Sequence, residues 1–214
     1  MSSNLEQVYV GHHQQRRGRG FVLLGEQRGV FLARVMGTGK KILDIGCRDA
    51  ALTSYFAPGN QVLGLDIDAE ALVLAEHHLG INTQQVDLNG DWGQRPGSFD
   101  AVVAAEVLEH LYYPAVVLQK IFDILKSGGT LAGTVPHAFS LQSRLRLLIG
   151  RKRGTPLEDP THINHFTYKE FRSLLEQKFT DVRFEYIISP RLRWLGRFYP
   201  RLVAYGFLFS ARKP

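Results

Sequence analysis

The sequence predicts an α/β protein built on a mostly parallel, doubly wound sheet. Two observations carry the prediction. From Lys40 onward, short apolar runs of strand length alternate with longer segments whose apolar residues recur at helical spacing. Three of those runs also have an aspartate at or near their ends, Asp44, Asp66 and Asp87, where a strand gives way to a turn.

Taken in order, the first 20 residues are polar and rich in Gly and Arg, which predicts a loose arm, with residues 21–214 forming a single domain. "FVLLGEQRGVFLARVM" has helical spacing and is stopped by "GTG" at 37–39. Strands are predicted at 41–46, 61–66, 83–88, 99–106 and 129–136. Helices fit between them at 49–56, 68–79 and 114–126, the last stopped by Ser127-Gly128-Gly129. A helix at 167–178, a strand at 181–188 and a final strand at 205–213 follow. Strands alternating with helices imply right-handed crossovers. The last two strands are about 16 residues apart with no clear crossover helix, so an antiparallel final strand suits them better. Segments 137–166 and 189–204 read as insertions covering a substrate site.

The composition suits one globular domain: 214 residues, 44% of them hydrophobic. A single cysteine, Cys47, excludes an internal disulfide framework and fits a reducing compartment. No run reaches the roughly 18 apolar residues of a membrane span, and the N-terminus has no apolar core of signal-peptide length. The expectation is a soluble, cytoplasmic protein. The net charge of +6 is unevenly spread, at +3 over residues 1–39, −6 over 40–137 and +9 over 138–214. A basic flank of this kind can meet nucleic acid, anionic lipid or a phosphorylated substrate, or simply be a solvated surface.

"KKILDIGCRDAAL", residues 40–52, is a strand followed by a glycine turn. In an open α/β sheet, ligands bind beyond the carboxyl ends of the strands, where a glycine lets backbone N–H groups approach them. Gly46 can serve so, although Arg48 and Ala50 stand where further glycines are usual. Asp66, 20 residues beyond Gly46, is placed to accept both ribose hydroxyls of an adenosine. Asp87 could accept from an adenine amino group, with Ile67 or Leu88 covering the ring. Three carboxylates repel phosphates and suit a cationic sulfonium with an amino-acid tail; the bland reading is that each aspartate caps a helix. Arg48 is expected at negative φ with its side chain outward, and Ala50 is expected to cost only a methyl group.

"ILDIGCRDA", "VLGLDID", "VDLNGDW" and "SFDAVVAAEVLEHL", in this order, resemble the class I S-adenosylmethionine-dependent methyltransferases. The resemblance is close over about residues 40–136. It implies a Rossmann-like, seven-stranded sheet of order 3-2-1-4-5-7-6 with strand 7 antiparallel, and S-adenosylmethionine as cofactor. It also implies Asp44 and Gly46 near the methionine moiety, Asp66 on the ribose, Asp87 near adenine and Glu106 lining the methyl-transfer pocket. "TVPHAFSLQSRLRLLIGRKRGTP…THINHFT" is similar to the MetW-like and bacterial glycan or lipid methyltransferase branch.

Methyl transfer needs a base only if the acceptor must lose a proton. His110, His137, His162 and His165 are the candidates, while His12-His13 and His77-His78 read as surface pairs. The HxxH at 162 and 165 lacks a third ligand at matching spacing, so no metal is expected. Leu141, Leu145, Leu148 and Ile149, then Leu192, Leu195 and Phe198 or Tyr199, form apolar faces flanked by Arg and Lys. They either cover the substrate mouth or dock on anionic lipid. No RNA-binding motif or spaced aromatics argue for nucleic acid. The resulting expectation is O-methylation of a small-molecule, sugar or lipid-linked acceptor, with peripheral membrane contact at the inner membrane surface open. The alternative is a regulatory methyltransferase-fold subunit acting through a protein partner.

Overall fold

The computed structural model describes Gly11, Gly20, Val22 and residues 24–214. The expected arm, apart from Gly11 and Gly20, lies outside the described residues, as does the His12-His13 pair. Seven strands form one sheet: β1 (Lys41–Ile45), β2 (Gln61–Asp66), β3 (Asn82–Gln85), β4 (Phe99–Ala105), β5 (Leu125–Pro136), β6 (Thr180–Ile187) and β7 (Gly206–Arg212). Their order is 3-2-1-4-5-7-6. β3, β2, β1, β4 and β5 run parallel, and β7 is antiparallel to both its neighbours. The helices are α1 (Gly25–Met36), α2 (Ala69–Leu79), α3 (Pro114–Ile124), α4 (Leu141–Leu148) and α5 (Tyr168–Glu176), followed by the one-turn α6 (Arg193–Gly196) and α7 (Pro200–Val203).

Both faces of the central strands are buried, which is why β1 reads as an unbroken run and not an alternating one. Ile42, Val62, Ala101 and Val103 pack on one side with Phe31, Leu32 and Met36 of α1. Leu43, Ile45, Leu65 and Val102 pack on the other with Leu118 and Ile121 of α3 and Phe171 and Leu175 of α5. Each fully buried side chain of this size contributes roughly 1.5–3 kcal/mol. The helix ends are set locally. The Asp68 side chain accepts from Ala71 N–H at the start of α2, and Gly80 closes that helix in the left-handed conformation. Thr167 and Glu170 form a reciprocal capping box on α5.

Three sequence expectations are corrected. No α-helix spans 49–56: the segment is turns and a single 3-10 turn, Thr53–Tyr55, because Arg48 and Ala50 adopt φ of +52° and +59°. The helix expected at 114–126 ends at Ile124, and β5 begins at once. Ser127-Gly128-Gly129 therefore lies inside β5, at a register shift against β4, with Gly128 at φ +73°. β3 stops at Gln85, which leaves Asp87 and Leu88 in the following loop. Of the two apolar faces expected to cover a substrate mouth, Leu141, Leu192 and Leu195 are half-buried, and Leu145, Leu148, Ile149, Phe198 and Tyr199 are exposed. His77 and His78 are surface residues, as expected.

Candidate active site

β1 and β4 meet at the centre of the sheet, and the turns that leave their carboxyl ends build the site. Gly46 N–H and Cys47 N–H both donate to the Leu65 carbonyl, at 2.7 and 3.2 Å, which draws the turn across the end of β2. Gly46 has φ +71°, and a Cβ there would lie 2.4 Å from Val107 Cγ2, so only glycine fits between the two turns. Arg48 and Ala50 share the left-handed region, contrary to the negative φ expected for Arg48 and the merely steric cost expected for Ala50. The reason is visible in the hydrogen bonds. The left-handed turn aims Arg48 N–H at Asp66 Oδ2, 2.8 Å away.

Asp66 closes β2 and is buried. Its other oxygen accepts from Asp68 N–H at 2.9 Å. Backbone donors thus fix the carboxylate. Asp44 sits one residue before the end of β1 and is also buried, with Thr53 Oγ1 donating to it at 2.6 Å. Burial raises its pKa to about 7; the Thr53 hydroxyl pulls against that shift and nearby Asp66 adds to it. Near neutral pH Asp44 is therefore a carboxyl poised between two charge states. Asp87 is exposed two residues beyond β3, where its Oδ1 accepts from the N–H and side-chain amide of Asn89. Leu88 is buried beside Trp92, whose indole N–H donates to the Leu88 carbonyl at 3.0 Å. Ile67 is half-buried, its carbonyl accepting from the Gln85 side chain. Of the three aspartates, Asp66 alone ends its strand.

Glu106 follows β4 at φ +56°. One oxygen accepts from Thr134 Oγ1 at 3.0 Å, and the other lies 3.0 Å from the Arg28 guanidinium. Arg28 is a site residue that the motifs did not reveal. Its one signal is position: it shares the buried face of α1 with Phe31 and Leu32, where an arginine is out of character. Arg28 Nε is buried with no hydrogen-bond partner among the described residues. Asp49 was also missed; it is buried and accepts from Gly20 N–H at 2.7 Å, tying the incoming chain to the turn after β1.

The four histidines divide. His110, in a 3-10 turn at Leu108–His110, and His162 meet edge to face, ring centroids 4.7 Å apart. His137 follows β5, but its ring packs on Phe207 at 4.5 Å and its Nδ1–H donates to the Ala204 carbonyl at 3.0 Å. Burial lowers its pKa, which the Ala204 bond opposes and Arg144 reinforces. His165 is half-buried, and its buried Nε2 has no hydrogen-bond partner among the described residues. Burial, then His162, then Lys152 hold its pKa below the ordinary 6.5. The segment bearing His162 and His165 is strapped to the turn after β4. Ile163 and Asn164 N–H donate to the Glu109 carbonyl, and the Asn164 side chain donates to the Leu111 carbonyl.

A cavity of about 400 Å³ adjoins Asp49, Ala50 and Ser54, but its far wall is Leu74, His78 and Leu79. Those residues belong to the C-terminal half of α2, so the cavity lies beside the turn and away from the strand ends where the carboxylates converge.

Comparison with other proteins agrees with this fold. Residues 18–178 match the family described as "Methyltransferase domain", and the chain belongs to the class I S-adenosylmethionine-dependent methyltransferase superfamily. It is 35% identical over 119 residues to the ubiquinone biosynthesis O-methyltransferase of Xanthomonas campestris pv. campestris, covering 51% of this chain and 50% of that protein. The chain thus spans about half the length of the curated relatives it matches. An S-adenosylmethionine-dependent methyltransferase from Archaeoglobus fulgidus superimposes with a TM-score of 0.68 at 18% identity, covering 96% of this chain and 99% of the other. A Haloferax volcanii methyltransferase solved with a methyltransferase activator gives a TM-score of 0.64 at 16% identity, covering 88% of this chain and 91% of the other. At such identities these structures share the fold.

Proposed function

We propose that the chain binds S-adenosylmethionine across the carboxyl ends of β1, β2 and β4 and transfers its methyl group to an oxygen of a small-molecule or lipid-linked acceptor. The observation that carries the reading is Asp66: a buried carboxylate at the end of β2, aimed by Arg48 N–H and set beside the Gly46 turn. Ribose hydroxyls would donate to this carboxylate, and Gly46 would give the methionine end close access to the backbone. Arg28 would hold the cofactor's carboxylate, while Asp44 and Glu106 would offset its ammonium and sulfonium charge. Asp87, Ile67 and Leu88 bound the adenine end. The cofactor supplies an activated methyl group; the chain's part is to hold the acceptor oxygen in line with it.

Among the histidines, His165 is the best placed to take the acceptor proton, because its buried Nε2 has no hydrogen-bond partner among the described residues and its depressed pKa keeps it neutral. His110 and His162 hold each other, and His137 serves packing. Replacing His165 with Gln is expected to lower kcat while leaving cofactor affinity unchanged. A lowered affinity with normal kcat would remove the base assignment. The ubiquinone-type O-methyltransferase among the relatives supports oxygen as the acceptor atom.

A lipid-linked acceptor and peripheral membrane contact draw support from the exposed residues of α4 and of the segment that carries α6. Leu148 is 83% exposed, Trp194 70% and Phe198 71%. Arg144, Arg146, Arg151, Lys152, Arg153, Arg191, Arg193 and Arg197 lie among them. Apolar side chains framed by cations suit an anionic bilayer surface. Sedimentation with vesicles tests this: the protein is expected to pellet with phosphatidylglycerol-containing vesicles and not with pure phosphatidylcholine. Equal recovery from both would remove the membrane reading and leave the patch to a protein partner, such as an activator subunit.

A further inference from the structure

We propose that Glu109, His110 and His162 form a binding site for a divalent transition-metal cation of the zinc class, which fastens the segment around residue 162 to the turn after β4. The inference is independent of methyl transfer. One ligand atom from each of the three residues lies within 4.8 Å of the other two. The site is interior, with Glu109 fully buried and the His110 and His162 side chains 12% and 6% exposed. In sequence, the histidines are more than 50 residues apart, so no spacing motif links them.

The orientation of the two rings is the strongest argument. His110 Nδ1 lies 2.9 Å from the Thr161 carbonyl, and His162 Nδ1 lies 2.9 Å from the Pro156 carbonyl. A carbonyl oxygen only accepts, so each Nδ1 carries the hydrogen. In the neutral ring the lone pair is then on Nε2. Those Nε2 atoms are the ones turned toward carboxylates. His110 Nε2 is 4.0 Å from Glu109 Oε1, and His162 Nε2 is 3.9 Å from Asp159 Oδ2. A backbone carbonyl behind the distal nitrogen is the usual support of a metal-ligating histidine, fixing its tautomer and its aim.

Ligands on one tetrahedral cation with bonds of about 2 Å are roughly 3.3 Å apart. Closing the observed set needs shifts of under about 1 Å per side chain, within reach of small χ rotations. Asp159 Oδ2 approaches His162 Nε2 at 3.9 Å but stands outside the three-ligand set, which leaves the fourth position to solvent. Its Oδ1 is committed to the Thr161 N–H and hydroxyl, at 3.0 and 2.7 Å. Two imidazoles with carboxylate select a borderline cation such as zinc or cobalt(II) over magnesium or calcium, which prefer all-oxygen sites. The expectation of no metal rested on the His162–His165 spacing; the fold instead replaces His165 with Glu109 and His110.

The test uses the full chain with any affinity tag removed, after dialysis against a chelator. Titration with Zn(II) is expected to give one site per chain and to raise Tm. Glu109→Gln and His162→Gln are each expected to weaken it by at least about 100-fold, the upper range for loss of even an outer-shell partner. A His77→Gln/His78→Gln variant and a His12→Gln/His13→Gln variant should bind as the native chain does. Absence of a site in the native chain, or binding lost in either of these two variants, would overturn the proposal. Should the ligand variants fail to fold, cobalt(II) in the native chain decides. Proton NMR is expected to show two exchangeable, hyperfine-shifted imidazole N–H signals, one for each Nδ1–H. Any other number, or none, refutes the assignment.

Discussion

Arg48 shows how a motif can lose its glycines and keep its geometry. A non-glycine residue in the left-handed region costs roughly 1–2 kcal/mol. What that conformation provides is one backbone N–H aimed at Asp66, which any residue type can supply. Arg48→Gly is therefore expected to raise unfolding stability by about 1 kcal/mol and to leave cofactor affinity within about threefold; chemical denaturation and calorimetry check the two. A large loss of affinity would mean that the side chain itself acts in the site. Asp44 makes a pH prediction. Its folded pKa of about 7 lies above the ordinary 3.8, so its contribution favours folding at acid pH and is lost as pH rises from 3.8 through 7. A cofactor cation beside it favours the charged form. Cofactor binding should thus tighten as pH rises through 7, with proton release measurable by calorimetry in buffers of different ionisation enthalpy.

At the scale of elements, α1 is attached to the sheet by more than apolar packing. The Arg28–Glu106 pair is 4% and 11% exposed, so removing one partner leaves the other charge nearly buried. Arg28→Met is expected to cost about 3 kcal/mol, and adding Glu106→Gln should recover part of it in thermal denaturation. Thr167→Ala removes one half of the α5 capping box and is expected to cost about 1 kcal/mol. These elements also show what the sequence made legible. β1, β2 and β4 were readable because both faces are buried, which requires continuous apolar runs. The 49–56 segment escapes the sequence reading because apolar spacing is blind to φ: "RDAALTSYF" has helical composition, but Arg48 and Ala50 are left-handed, Arg48 with its N–H on Asp66 and Ala50 with its N–H on the Cys47 carbonyl. β5 was shortened in prediction because Gly128 and Gly129 look like a helix stop, and only pairing with β4 makes them a strand irregularity.

At the scale of the whole molecule, the sheet gathers into one region groups that are distant in sequence. Asp44, Asp66 and Glu106 were legible because each follows an apolar run. Arg28, and the approach of His162 to Glu109 and His110, were not, because those contacts depend on how α1 and the 156–167 segment fold back over the carboxyl ends. The apolar and basic residues around α4 and α6 were legible as a pattern, but their direction was not. Their exposure makes a prediction about stability. Leu148→Ser, Trp194→Ala and Phe198→Ala together should change stability by no more than about 0.5 kcal/mol per site, while abolishing any vesicle binding.

The most direct measurement is a calorimetric titration of the native chain and an Asp66→Ala variant with S-adenosylmethionine. One micromolar site is expected in the native chain, and in the variant a loss of at least about 30-fold, the cost of removing a charged acceptor of two hydroxyl hydrogen bonds. Equal affinity in both, or no binding by a folded native chain, would contradict the proposed cofactor site.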